Sequence, residues 1–331
     1  MDALSETLKV LHLTSGIFLD ADFTAPWCID SAPKKEEFAP FLPEAEQVVI
    51  FHLVVEGACR ARLPDDGTAI DLAAGDLIMF PHGDPHILGS DLQLHPLQAA
   101  SLVRPDASGS GLMRIRHGGS GLRTQFICGY MACDKRLCRP LLSGLPRIVK
   151  VSLGDDPTTR WMVVALQHGA QETHSPQPGR EAVMGRLAEL LFVEALRCYI
   201  RQLPESQHGW LAGLRDPYVG KALALMHARP AHNWQVDTLG SSVGLSRSAL
   251  AERFSTLIGE PPMQYLARWR LALAAQDLAR TSDAVARIGE RVGYESEAAF
   301  NRAFKREFGT PPATWRRQAR LARAATAENP G

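Results

Sequence analysis

Nine side chains in the last third of this 331-residue sequence are suited to reading nucleic acid. They form two clusters: Arg247, Ser248, Ala251 and Glu252, then Glu297, Ala298, Asn301, Arg302 and Lys305. A guanidinium matches guanine O6 and N7, an asparagine amide matches adenine, and a glutamate accepts from cytosine N4. Arg302 and Asn301 are the best base readers on that chemistry, and Lys305 suits phosphate. Glu252 and Glu297 either read cytosine or stay in solvent. The front of the chain offers different chemistry. His52, His82 and His86 carry imidazoles that would suit zinc, copper or iron. Cys133 and Cys138 have Lys135, Arg136 and Arg139 around them, a positive setting that lowers a thiol pKa. No nucleophile–base–acid set stands out, so no catalytic residue is assigned and the chain is not read as an enzyme.

The elements that must hold the first group are written twice. Phe254-Ser-Thr-Leu-Ile-Gly259-Glu-Pro261-Pro262 returns 50 residues later as Phe304-Lys-Arg-Glu-Phe-Gly309-Thr-Pro311-Pro312, with Tyr265 answered by Trp315. Upstream, Val236, Leu239 and Val243 recur at helical spacing, Gly244 suits a left-handed turn, and Ser246 is placed to cap a new helix bearing Leu250 and Phe254. Val285, Ile288, Val292, Gly293, Ser296, Phe300 and Phe304 repeat the pattern. Two short helices around a glycine turn form a helix-turn-helix, whose second helix enters the major groove. With the apolar residues facing the core, the nine residues above face out. Met263–Leu278 between the copies reads as one helix about 24 Å long, a rod able to hold two reading helices near one turn of DNA apart.

Charge is divided in the same way. Arg215–Gly331 holds 17 Lys+Arg against 11 Asp+Glu, net +6, whereas the rest of the chain nets −6. A basic rear half suits duplex DNA. The basic side chains Arg316, Arg317, Arg320 and Arg323 fit either DNA contact or a solvated helix face.

From about Asp216 to Arg320 the sequence resembles the AraC/XylS family of bacterial transcription regulators, most specifically in Ala286–Tyr294 and Phe300–Pro312. The resemblance implies seven helices with two helix-turn-helix units on a long connecting helix. It also implies base and phosphate contacts at the outward positions named above.

The front half reads as short strands. Val48–Val55, Ile70–Leu72 and Leu77–Phe80 are separated by turn signals, as in an antiparallel sandwich or barrel. Gly75, Pro81, Gly83 and His86 resemble the second cupin motif. With Phe51-His52-Leu53 and Ile127-Cys128-Gly129-Tyr130 they resemble the cupin-type sensor of one AraC branch, which includes regulators responsive to reactive chlorine. The likeness covers roughly Leu4–Pro146. A metal cupin usually supplies two histidines one residue apart plus a glutamate. Here His52 has no such partner and Glu56 flanks Gly57, so no metal and no cofactor are assigned.

On a strand over Thr124–Ala132, Cys128 shares a face with Phe126 and Tyr130, and a disulfide from Cys128 to Cys133 is not expected. Arg186–Arg201 reads as a helix with an apolar stripe, placed for core or subunit contact. No secretory signal or membrane-length apolar run is read, so the expected compartment is the cytoplasm.

The expected fold class is α+β. A cupin-like antiparallel β barrel with flanking helices occupies 1–210, and an all-α double helix-turn-helix domain occupies 211–322. The expected function is sequence-specific transcription regulation, as an activator, controlled by the front domain. Its partners are double-stranded promoter DNA, RNA polymerase, a small effector or oxidant, and a second copy of the chain. The candidate sensor residues are Cys133, Cys138, His52 and His86. A metal or redox detector is the alternative to an organic-ligand pocket, and a cupin enzyme fused to a regulator is the distant one.

Overall fold

A computed structural model describes residues 2–11, 13–32, 47–105, 113–133, 135–154, 156–171, 179–204 and 206–327. The chain forms two compact units. One is Leu13–Cys133 with Leu145–Gln202; the other is Met1–His12 with Asp134–Gly144 and Leu203–Gly331. This differs from a single boundary near residue 210, because two short helices from the front of the chain bury their apolar sides in the second unit.

The first unit is built on β strands whose alternation selects a core. Its strands are β1 (Thr14–Thr24), β2 (Cys28–Ser31), β3 (Gln47–Glu56), β4 (Ala58–Arg62), β5 (Ile70–Ala73), β6 (Asp76–Phe80), β7 (His86–Gly89), β8 (Leu97–Gln98), β9 (Arg104–Pro105), β10 (Met113–Gly118), β11 (Arg123–Cys133) and β12 (Val149–Ser152). A seven-stranded sheet runs β12-β6-β3-β11-β1-β10-β9 and a five-stranded sheet runs β5-β4-β7-β2-β8. Pairing is antiparallel except for β1 with β10 and β2 with β8, which run parallel. Phe23, Trp27, Ile50, Val54, Ile78, Phe80, Phe126 and Cys128 share one core. The short helix α2 (Ala99–Leu102) follows β8. Helices α4 (Pro157–Gln171) and α5 (Arg180–Gln202) complete the unit. The second of these starts six residues earlier than the apolar stripe suggests. Gly185 in that extension lies against β1, where Ser15 Oγ donates to its carbonyl at 2.7 Å.

The second unit is helical. Between residues 217 and 327 it has seven helices among the described residues: α7 (Pro217–Ala228), α8 (Val236–Val243), α9 (Arg247–Ile258), α10 (Pro262–Arg280), α11 (Val285–Arg291), α12 (Glu297–Phe308) and α13 (Pro312–Ala327). Helix α6 (Trp210–Arg215) precedes them. The expected rod is longer than its apolar pattern indicated. Pro262 occupies its first turn, where a missing N–H costs nothing, and 19 residues give about 28 Å. Helix α1 (Ala3–Val10) packs on α7, and α3 (Lys135–Leu142) packs on α6 and α10, burying Leu141 and Leu142.

Candidate nucleic-acid interface and sensor core

The two helix-turn-helix modules are built alike. In the first, Gly244 ends α8 in the left-handed region at φ 90°, and Ser246 caps α9 by accepting from the Ala249 N–H. In the second, Gly293 turns at φ 94° and Ser296 caps α12 by accepting from the Ala299 N–H. Leu250 and Phe254 are fully buried, as are Phe300 and Phe304. Packing of these inward residues fixes what faces out. Arg247, Ser248, Glu252, Glu297, Ala298, Arg302 and Lys305 are exposed, while Ala251 and Asn301 are half-buried on the rim of the same faces.

The arginines of this unit divide by what they touch. Arg253 pairs with Asp216, the cap of α7, at 2.5 Å, and Arg291 pairs with Asp277 and Asp283. Arg268 pairs with Glu260, and Arg316 donates to the Asp283 carbonyl at 2.5 Å. These tie helices together. Among the described residues the side chains of Arg247, Asn301, Arg302 and Lys305 make no hydrogen bond or ion pair within the chain. Their donors remain available to an outside acceptor.

A chain of hydrogen bonds runs through the core of this unit. Trp210 Nε1–H donates to Tyr265 Oη at 2.8 Å, and Tyr265 O–H donates to His227 Nε2 at 2.8 Å. His227 Nδ1–H donates to Thr7 Oγ1 at 2.9 Å, and the Thr7 hydroxyl donates to the Ala3 carbonyl at 2.8 Å. Every polar atom in the series is matched only when the imidazole is neutral. Burial agrees, holding its pKa down at about 3. The ring stacks on Trp269 at 4.1 Å.

The sensor unit holds a second such chain. His86 Nδ1–H donates to the Asp84 carbonyl at 2.9 Å, which leaves its Nε2 to accept from His52 Nε2–H at 2.7 Å. His52 Nδ1 is then the acceptor for the Cys128 thiol at 2.9 Å. His86 also stacks on Phe80 at 3.7 Å. Burial lowers the pKa of His86 to about 4 despite the nearby Asp30 and Asp84 carboxylates, lowers that of His52 well below its ordinary value, and raises that of Cys128. The structure therefore brings His52 and His86 together and adds Cys128, a thiol held in its protonated form. The three are linked in series, and no group of three metal-ligating side chains converges on one point among the described residues. His82 stands apart, donating to the Leu145 carbonyl at 3.1 Å. Met79 does not face this pair. It pairs with Phe51, whereas His52 pairs with Ile78, so Met79 points to the opposite face of the sheet.

Cys133 ends β11 and Cys138 lies in α3; both are buried and both are disulfide-bonded. Cys28, Cys59, Cys128 and Cys198 are free and buried. The side chains of Lys135 and Arg136, which motivated a low thiol pKa, lie outside the described residues. No helix among the described residues is long and apolar enough to cross a membrane.

Comparison with known proteins fits both halves. A cupin family model matches residues 2–201 and a helix-turn-helix domain model matches residues 239–318. An AraC-like transcription regulator of Streptomyces antibioticus is 35% identical over 319 residues, covering 96% of this chain and 99% of its own. The HTH-type transcriptional regulator AlkR of Acinetobacter baylyi is 31% identical over 325 residues, covering 96% and 100%. The RCS-specific HTH-type transcriptional activator RclR of Escherichia coli is 27% identical over 274 residues, covering 82% and 86%.

Proposed function

Since this chain belongs to the AraC-like transcription regulators that carry a cupin domain ahead of a helix-turn-helix domain, we propose that it activates transcription from the promoters it binds. It does so as a cytoplasmic homodimer, by engaging RNA polymerase under control of its front unit. The observation that carries the DNA contacts is the pair of outward faces on α9 and α12. Arg302 and Asn301 read bases, Arg247, Ser248, Ala251, Glu252, Glu297 and Ala298 complete the two reading faces, and Lys305 holds phosphate. Dimerisation draws support from apolar side chains on α4 and α5: Trp161, Val164 and Val183 are each more than half exposed. A monomer by sedimentation at micromolar concentration, with and without DNA, would remove that part.

The DNA reading is tested with the full-length protein and a randomised duplex pool. Two enriched boxes are expected, with affinity falling steeply as salt rises. Binding indifferent to both sequence and salt would refute it.

Control by oxidation is the reading of the front unit that one observation favours. Cys133 and Cys138 are disulfide-bonded, whereas His52 and His86 satisfy one another in the core and would have to break that hydrogen bond to admit a metal ion. In this reading the two thiols surrender two protons and two electrons to a two-electron oxidant such as hypochlorous acid, which leaves as chloride, water and one released proton. A Cys133→Ser, Cys138→Ser double variant should lose oxidant-dependent promoter activity. An unchanged response would move the control point to His52 and His86 or to an organic ligand.

A further inference from the structure

The two helix-turn-helix modules are gripped by one side chain. Arg270 lies near the middle of α10 and is half-buried. Its Nε–H donates to the Pro230 carbonyl at 2.6 Å and an Nη2–H donates to the His232 carbonyl at 2.8 Å. An Nη1–H reaches the Gly293 carbonyl at 3.4 Å. Pro230 and His232 belong to the loop between α7 and α8 that leads into the first module. Gly293 is the turn of the second module. A planar guanidinium with five donors can serve three carbonyls in different directions, which an ammonium on a flexible stem cannot match. No carboxylate pairs with Arg270 among the described residues, so backbone carbonyls alone hold the charge.

The same place shows a direct backbone approach between the modules. Gly293 has φ +94°, and a Cβ there would lie 2.9 Å from Ala231 Cα, 3.0 Å from the Ala231 oxygen and 3.0 Å from Arg270 Cζ. The first module's loop is itself stiffened. Trp234 Nε1–H donates to the Arg229 carbonyl at 3.2 Å, the Arg229 guanidinium lies 4.9 Å over the Trp234 ring, and His232 meets that ring edge-on at 4.4 Å. Arg270 therefore anchors the second module's turn to a fixed point of the first.

A connecting helix alone would leave each module free to rock about its own short junction. A second attachment, off the helix axis, removes that freedom. We propose that Arg270 is a positioning residue that fixes the separation of the two reading helices, so that the chain accepts its two DNA boxes at one spacing. This rests on the DNA reading given above, with α9 and α12 as the readers. A shift of one base pair moves a box by about 3.4 Å along the duplex and turns it by about a tenth of a rotation, enough to disengage one module's base contacts.

The test uses the full-length protein, the two-box duplex it selects from a random pool, and the same duplex with one base pair added or removed between the boxes. The parent should prefer its selected spacing by about tenfold or more, the scale of one lost base contact. Arg270→Gln and Arg270→Lys should bring that preference below about threefold, with the sequence preference inside each box and the salt dependence unchanged. A merely structural arginine would lower affinity for all spacings alike. Either folded variant keeping the parent's spacing preference overturns the proposal. If Arg270→Gln fails to fold, as judged by circular dichroism, Arg270→Lys decides it. A parent that enriches no two-box duplex overturns the DNA reading itself, and a parent that enriches one but tolerates both altered spacings overturns only the role of Arg270.

Discussion

Acid should loosen the helical unit through one residue, His227. Its imidazole is buried, neutral, and placed between Thr7 and Tyr265 so that neither ring nitrogen has room for an extra proton. Its pKa is about 3 in the folded chain against about 6.5 when unfolded. Between those values the unfolded chain binds a proton that the folded chain refuses. Stability contributed by the neutral ring is therefore intact above pH 7 and is lost as pH falls through 6.5 towards 3. Lowering the pH from 7 to 5 should cost about 2 kcal/mol. Peptide-resolved hydrogen exchange gives the opening free energy of α7 and α10 at each pH, separately from the sheets. His227→Gln supplies the control, since glutamine keeps a donor and an acceptor but does not titrate. The variant should start less stable, having lost the stack on Trp269, and should then lose about 2 kcal/mol less than the parent over the same pH range. An identical pH slope in parent and variant would refute the assignment of the acid sensitivity to this ring.

Other consequences are open to measurement. Arg302→Ala should cost about 1–3 kcal/mol of specific DNA binding and relax preference at one base pair, while Lys305→Ala should weaken all duplexes alike and flatten the salt dependence by about one phosphate; equal behaviour on specific and random DNA would contradict the division of roles. Phe304→Ala should destabilise the second module by about 3–5 kcal/mol, since the ring is fully buried against Phe300, Phe308 and Trp315, and a chemical denaturation midpoint close to the parent's would show the site collapses around the loss. His86→Gln should make the sheets of the front unit less sensitive to acid between pH 6.5 and pH 4, read by hydrogen exchange of β3 and β7, because the parent imidazole is held neutral at a pKa of about 4.

The helical half was legible because its signals are local and repeated. Gly244, Ser246 and Phe254, then Gly293, Ser296 and Phe304, each declare a turn, a cap and a core position within a dozen residues. The same inward residues settled which side chains face out. The front strands were also read in place, since β3 and β6 follow a plain run of apolar and β-branched residues. What escaped were contacts between residues far apart in the chain. Thr7 and His227 are 220 positions apart, and His52 lies 76 from Cys128, so neither pairing leaves a spacing to notice. Arg270 looks like one more cation on a helix carrying several, and only the return of Gly293 to Ala231 distinguishes it.

The polypeptide passes between the two units four times, near residues 12, 133, 144 and 202. Regulators are often treated as interchangeable parts, with the reader cut away at a linker and joined to another receptor. This chain has no place for such a cut. A reader begun at Arg215 would leave Trp210 and Thr7 behind, stranding the Tyr265 oxygen without its donor and His227 Nδ1–H without its acceptor. Grafting it would require carrying the first eleven residues along, as a peptide added back or as a permuted terminus.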